Sequence, residues 1–188
     1  MIIHETSQIL DNLQNIDADI FFANVNSIDT AAKELLDQYR SDAYKISFLF
    51  NERVYLFTAC DQPFSYKKEL SLKDLVDIPL GCVKNEKGSS DFLNQYLTQK
   101  YNCTFSLCVN ESDPLLHRVL SGYCSALVTP TSISEYFKKN GKVIPLQENI
   151  YKSVYIATST DPAKQELIEA FLEALSEQIA QEKLSTPV

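Results

Sequence analysis

Glycine is scarce in this chain. There are four in 188 residues, at positions 81, 88, 122 and 141, and none is clustered with another. A phosphate-cradling loop needs grouped glycines so that backbone amides can close on the phosphate, so a P-loop and a dinucleotide fingerprint are both excluded. No G-x-S-x-G elbow occurs either. Histidine is scarcer still: His4 and His117 stand far apart with no metal-ligand spacing around them, leaving only a site assembled in three dimensions from His117 and a cysteine. Positive charge is in deficit. Seventeen Lys+Arg against 25 Asp+Glu gives 17 − 25 = −8, which argues against this polypeptide gripping nucleic acid or an anionic lipid surface by itself. Long apolar runs are missing too. The longest, such as Val54–Phe57, are strand-sized, well short of the ~18 residues of a membrane span. The N-terminus, Met-Ile-Ile-His-Glu-Thr, has neither the basic start nor the apolar stretch of a signal peptide. The five cysteines are an odd number without C-x-x-C spacing, which reads as reduced cytosolic thiols used as small core residues.

What is present is ordinary globular composition, 45% hydrophobic and 22% charged, in a length that suits one domain or two small lobes. Ten Tyr and ten Phe read as core and lobe-interface packing. Short apolar strands alternate with amphipathic helices. Ile2-Ile3 reads as a strand stub. Helices are expected over about 6–15 and 29–39, with a buried strand Asp19–Ala23 between them. Lys45–Phe50 and Arg53–Ala59 read as two strands joined by a tight turn at Asn51-Glu52. Ser71-Leu-Lys-Asp74 has the form of a capping box ahead of Pro79, and Leu80–Val83 is a strand. A helix opens at Gly88–Asp91, and Phe105–Val109 alternates as a strand. Asp113-Pro114 reads as cap plus first helical residue of a helix that ends at Gly122. Ser125–Thr129 is a strand, Ser132–Glu135 a second capping box, and Val143–Leu146 and Val154–Thr158 are strands. Pro162 begins the longest helix, with Leu167, Ile168, Phe171, Leu172, Leu175 and Ile179 as its apolar stripe. This order predicts an α/β fold with mainly parallel pairing, in which ligands sit at the C-terminal edge of the strands.

Four stretches, in this order, carry a family resemblance over about Ile3–Leu175: Thr6–Ala23; Glu69-Leu-Ser-Leu-Lys-Asp-Leu-Val-Asp-Ile-Pro-Leu80; Val119-Leu-Ser-Gly-Tyr-Cys-Ser-Ala-Leu-Val-Thr-Pro130; and Val154–Leu175. Together they resemble the effector-binding domain of LysR-type transcriptional regulators. The chain departs from that pattern at Cys124, where a second glycine is expected after Gly122, and at the bulky Tyr123. The family's winged helix-turn-helix, its linker helix and the first strand and helix of the effector domain have no counterpart. The resemblance implies a two-lobed fold like a type 2 periplasmic binding protein, N-terminally truncated. Residues 1–79 plus 151–188 would form lobe one and residues 80–150 lobe two.

The same resemblance implies an effector pocket between the lobes, built from loops and helix N-termini. Thr6 falls where the family often has a ligand-facing hydroxyl, at a helix end suited to a carboxylate; it is equally a plain helix cap. Asn24 follows the Asp19–Ala23 strand at the ligand edge, or is a turn residue. Ser89 and Ser90 open a helix and either cap it or donate hydroxyls and amides to the ligand. Asn110 and Glu111 follow the Phe105–Val109 strand, with Glu111 hydrogen-bonding a ligand, latching the lobes or simply solvated. Thr129 ends a strand before Pro130. The acidic pairs Asp17/Asp19 and Glu111/Asp113 lack the arrangement that acid–base catalysis requires. The function implied is a non-enzymatic sensor that binds a small metabolite, often a carboxylate, and controls DNA binding through a head domain absent from this sequence. No cofactor, metal or membrane is expected; the location is cytoplasmic, and the full-length protein is a homodimer or homotetramer. The alternatives are an enzyme on the same scaffold acting on a small carboxylate, and an extracellular solute-binding protein.

Overall fold

The computed structural model describes residues 18–28, 42–84 and 92–185. The Ile2-Ile3 strand, the helices over 6–15 and 29–39, and the helix opening at 88–91 lie outside the described residues. Contacts sort the described chain into two units: 18–23, 42–49 and 154–185 form one, and 24–28, 50–84 and 92–153 the other. The divisions fall inside three strands, β1 (Ile20–Ile28), β2 (Tyr44–Arg53) and β8 (Ile150–Ser159), which share a three-stranded sheet in the order β1-β8-β2. β2 corrects the expected hairpin. It runs unbroken through Asn51-Glu52, breaks only at Val54, and pairs in a different sheet from its successor β3 (Tyr55–Ala59). A polar pair interrupts a strand only where the backbone ladder lacks partners, and here β8 supplies them.

In the first unit, the Tyr44 hydroxyl donates to the Ala18 carbonyl at 2.9 Å, and the Phe21 and Tyr44 rings meet edge-on at 5.2 Å. Thr160 Oγ1 donates to the Asp42 carbonyl at 2.7 Å, and Lys164 pairs with Asp19. Asp161 caps the 3-10 turn Pro162–Lys164 by accepting from the Ala163 amide at 3.0 Å. The long helix therefore begins one turn later than expected, at Gln165, and runs to Ser185. Its stripe is narrower than the periodicity predicts: Ile168 is buried, but Leu167 is 69% exposed and Phe171 is exposed as well.

The second unit is built on a five-stranded sheet in the order β5 (Phe105–Val109), β4 (Leu80–Val83), β6 (Ser125–Val128), β3, β7 (Gly141–Pro145). β4 lies parallel to β5 and β6, but β3 runs antiparallel to both β6 and β7. The pairing is therefore mixed, a correction to the mainly parallel expectation. The alternation of β3 splits its run of apolar residues between two cores, as a strand covered on both faces requires. Leu56 joins Leu80, Leu93 and Leu97 on one face; Phe57 joins Leu116, Val119 and Phe137 on the other. The same pairing explains why the contacts place residues 50–79 with 80–153, where the family pattern assigns them to lobe one. β3 is held by β6 and β7, Leu70 bridges to Leu146, and Leu72 and Leu75 share the core of Leu80.

Local chemistry sets the ends of the elements. Ser71 and Asp74 form the expected capping box on the 3-10 turn Leu72–Asp77, with the Asp74 carboxylate accepting from the Ser71 amide at 2.7 Å. α1 (Phe92–Tyr101) covers the first core and α2 (Ser112–Leu120) the second. α2 ends in a Schellman motif: the Gly122 amide donates to the Val119 carbonyl and the Tyr123 amide to that of Arg118. The motif needs the left-handed φ of +72° that Gly122 adopts. The start of α2 differs from expectation. Glu111 occupies the cap position without a side-chain hydrogen bond, while Asp113 and Pro114 sit inside the first turn, where the missing proline N–H has no partner to lose. The second capping box is also displaced. α3 (Glu135–Asn140) starts after Ser134, and the Ser132 hydroxyl serves Thr129 instead.

Candidate functional site

Strand order 5-4-6 makes the gap between β4 and β6 a topological switch point: the chain leaves β4 through α1 on one face and enters β6 from α2 on the other. At such a point, loops beyond the strand ends part in opposite directions and leave a crevice. A cavity of about 250 Å3 lies there, entirely within the second unit. Gly81, Cys82 and Val83 of β4 form one wall, and Leu127, Val128 and Thr129 at the end of β6 another. Ser112 brings the first turn of α2, and Leu93 and Asn94 bring α1. Lys152 of β8 completes the rim with the one charged side chain among the described lining residues.

Thr129 is the polar centre of this wall. It is 4% exposed, and its Oγ1 is buried with no hydrogen-bond partner among the described residues. The main chain around it is fixed. The Thr129 amide donates to Ser132 Oγ at 2.9 Å, and the Ser132 hydroxyl and amide both donate to the Thr129 carbonyl, at 2.8 and 3.0 Å. The 3-10 turn Pro130–Ser132 is thus locked, with Thr129 at its cap position. Asn94, 7% exposed, adds a buried amide, and Ser112 stands at a helix N-terminus, where free N–H groups favour an anion. Gly81 keeps the wall thin. A Cβ there would lie 2.5 Å from Leu115 Cδ1 and 2.8 Å from Cys124 Sγ. Cys124, the departure from the glycine pattern, is therefore accommodated by a glycine across the sheet–helix contact. Burial pushes the Cys124 thiol pKa up, partly offset by Arg118.

Of the residues expected to meet a ligand, Thr129 lines this cavity. Asn110 and Glu111 are exposed at the end of β5 and the start of α2, beside Ser112 but outside the lining. Asn24 lies inside β1 rather than after it, because the strand continues to Ile28. Thr6, Ser89 and Ser90 lie outside the described residues. Asn94, Ser112, Ser132, Lys152 and Cys82 also line the cavity and were not among the expected residues. Asn94 did leave a trace, as a polar residue three positions before Leu97 on the inward stripe of its helix. His117 packs on aromatic rings, 5.2 Å from Phe137 and 6.2 Å from Tyr136 between centroids. Among the described residues no three His, Cys, Asp or Glu side chains gather as metal ligands, and no helix is long and apolar enough to cross a membrane. The core expectation for cysteine holds for Cys82, Cys103 and Cys124, whereas Cys60 and Cys108 are exposed.

The chain as a whole falls in a known class. The pattern of the LysR substrate binding domain matches residues 1–180, so the chain belongs to that family, whose domains are the effector-sensing, two-lobed regulatory parts of transcriptional regulators. Those 180 matched residues leave no DNA-binding head within the 188. Among solved structures, the chain is similar to the Synechocystis PCC6803 CcmR regulatory domain in complex with 2-PG, at 14% identity and TM-score 0.64, covering 90% of this chain and 79% of that one. It is similar to the reduced OxyR regulatory domain from Pseudomonas aeruginosa, at 17% identity and TM-score 0.63, covering 88% and 76%. The MetR regulatory domain from N. meningitidis, a C103S C106S mutant, gives 17% identity and TM-score 0.64, covering 93% and 78%. At these identities the likeness establishes the fold. No curated protein matches the sequence.

Proposed function

We propose that the cavity beside Thr129 is the effector pocket of this regulatory domain and that its ligand is a small anion, by family analogy a carboxylate. The observation that carries this reading is the Thr129 hydroxyl, buried on the cavity wall and without a hydrogen-bond partner among the described residues. A group of that kind is costly to keep and is satisfied by a ligand that hydrogen-bonds to it. Lys152 and the N-terminus of α2 supply positive potential, while Leu93, Leu115 and Leu127 offer apolar contact. The volume lies below the ~300–1,000 Å3 typical of drug-sized ligands, in keeping with a small metabolite. The role is sensing rather than catalysis. A ligand shifts a conformational equilibrium only by its difference in affinity for the two states, and in a full-length cytoplasmic oligomer that shift reaches a DNA-binding head.

The test is calorimetry against a panel of small monocarboxylates, dicarboxylates and their neutral amides, with wild type and Lys152→Gln. The expected result is binding of at least one acid, weakened about tenfold or more in Lys152→Gln, while the matching amide binds both proteins alike. Binding of the amides with no preference for any acid would overturn the anion reading. Binding undiminished by both Lys152→Gln and Thr129→Val would place the effector elsewhere.

A further inference from the structure

Cys82 and Cys108 are direct partners on the parallel neighbours β4 and β5, and their Sγ atoms stand 3.0 Å apart. Residues paired in this way project from the same face of the sheet. The spacing of adjacent strands, about 4.7–4.9 Å, falls inside the ~4.4–6.8 Å Cα separation that a disulfide bridges. The two thiols differ in access: Cys82 is buried on the cavity wall, and Cys108 is exposed. Such a pairing separates the roles of a redox couple, with one sulfur reachable by a small oxidant and the other shielded but within bonding reach. The remaining thiols are not so disposed. Cys103 and Cys124 are buried, and the exposed Cys60 lies against the Asn140 carbonyl at 3.7 Å.

We infer that Cys82 and Cys108 form a reversible dithiol–disulfide couple, a modification site on the cavity wall that a hydroperoxide oxidises. The sulfur of Cys108 attacks a peroxide oxygen; an S–O bond forms as the O–O bond breaks, leaving a Cys108 sulfenic acid and water or an alcohol. Cys82 sulfur then attacks the sulfur of Cys108. The S–S bond forms, the S–O bond breaks, and hydroxide leaves with the Cys82 proton as water. Two electrons pass from the two sulfurs to the peroxide, and no other co-reactant is needed. A dithiol reductant reverses the bond. The couple stands whether or not the cavity takes an effector.

The test treats the reduced 188-residue protein with hydrogen peroxide and titrates thiols after denaturation. The count is expected to fall from five to three and return to five with dithiothreitol. Peptide mapping without reduction should link Cys82 to Cys108. Cys60→Ser should also lose two thiols. Cys108→Ser should form no intramolecular disulfide, and Cys82→Ser should stop at a Cys108 sulfenic acid that dimedone traps. If Cys82→Ser does not fold, the wild-type map and Cys108→Ser decide. A bridge between any other pair, between two chains, or no thiol loss while Cys108 alkylates freely would overturn the inference.

Discussion

A hydroxyl buried without a partner costs about 1–3 kcal/mol relative to one that is hydrogen-bonded, and Thr129 Oγ1 has no partner among the described residues. Replacing it by valine removes the unsatisfied group at nearly constant volume. Thr129→Val is therefore expected to hold or raise stability without ligand, by up to about 1 kcal/mol, and to abolish ligand-induced stabilisation; Thr129→Ser should keep the latter. Urea unfolding with and without the acid found by calorimetry checks both. A loss above about 1 kcal/mol in the ligand-free valine variant would mean that the hydroxyl already has a partner. The position of Thr129 on the cavity wall was legible because it closes a strand just before Pro130, at the edge where parallel strands end. Lys152 was not. A single lysine in a strand reads as a solvated charge, and only the fold carries it to the cavity rim.

Most described elements were readable from periodicity and capping; helix starts shifted by a residue or a turn, and the larger error arose where a local pattern competed with distant pairing. Asn51-Glu52 is a good turn by composition, yet β8, about a hundred residues away, holds it in a strand. The Ser71–Asp74 box, by contrast, is wholly local and was read correctly. Its chemistry gives a pH signature. The Ser71 amide and then the Ser71 hydroxyl hold the Asp74 pKa below its ordinary 3.8; burial opposes them, and Lys67 lowers it further. The unfolded chain therefore binds the proton more readily, so the box's contribution is complete above 3.8 and disappears as pH falls through the lower folded value. Asp74→Asn is expected to lower stability at pH 7 by about 1 kcal/mol, the usual worth of a cap. The difference from wild type should close in the acid limb of a pH series of denaturant midpoints; a gap that stays constant down to pH 2 would exclude the carboxylate as its cause. At the sheet–helix contact, Gly81→Ala drives a methyl to within 2.5 Å of Leu115 and 2.8 Å of Cys124. Overpacking of this kind costs about 1–3 kcal/mol, which denaturant unfolding of Gly81→Ala alone and with Cys124→Gly should show, the second change restoring part of the loss.

At the scale of the whole molecule, the order of elements identified the fold family, because a sequence of strands and helices survives even where single residues have drifted. The division into units was less legible. The partners of β3 are β6 and β7, some 70 to 90 residues further on, and nothing in the local pattern of Tyr55–Ala59 names them. Charge acts at this scale as well, since it is a sum over the chain and needs no fold to be read. A surface at −8 repels phosphate, whereas DNA binding draws its affinity from cations that displace condensed counterions, with log K falling about 0.9 per neutralised phosphate as log salt rises. The 188-residue chain is therefore expected to leave duplex DNA unshifted in a mobility assay at about 0.15 M salt and at about 0.05 M, with or without its effector. Retardation that weakens linearly with log salt would show a basic surface that the net charge conceals, and would move DNA contact from the head domain of the family into the sensor itself.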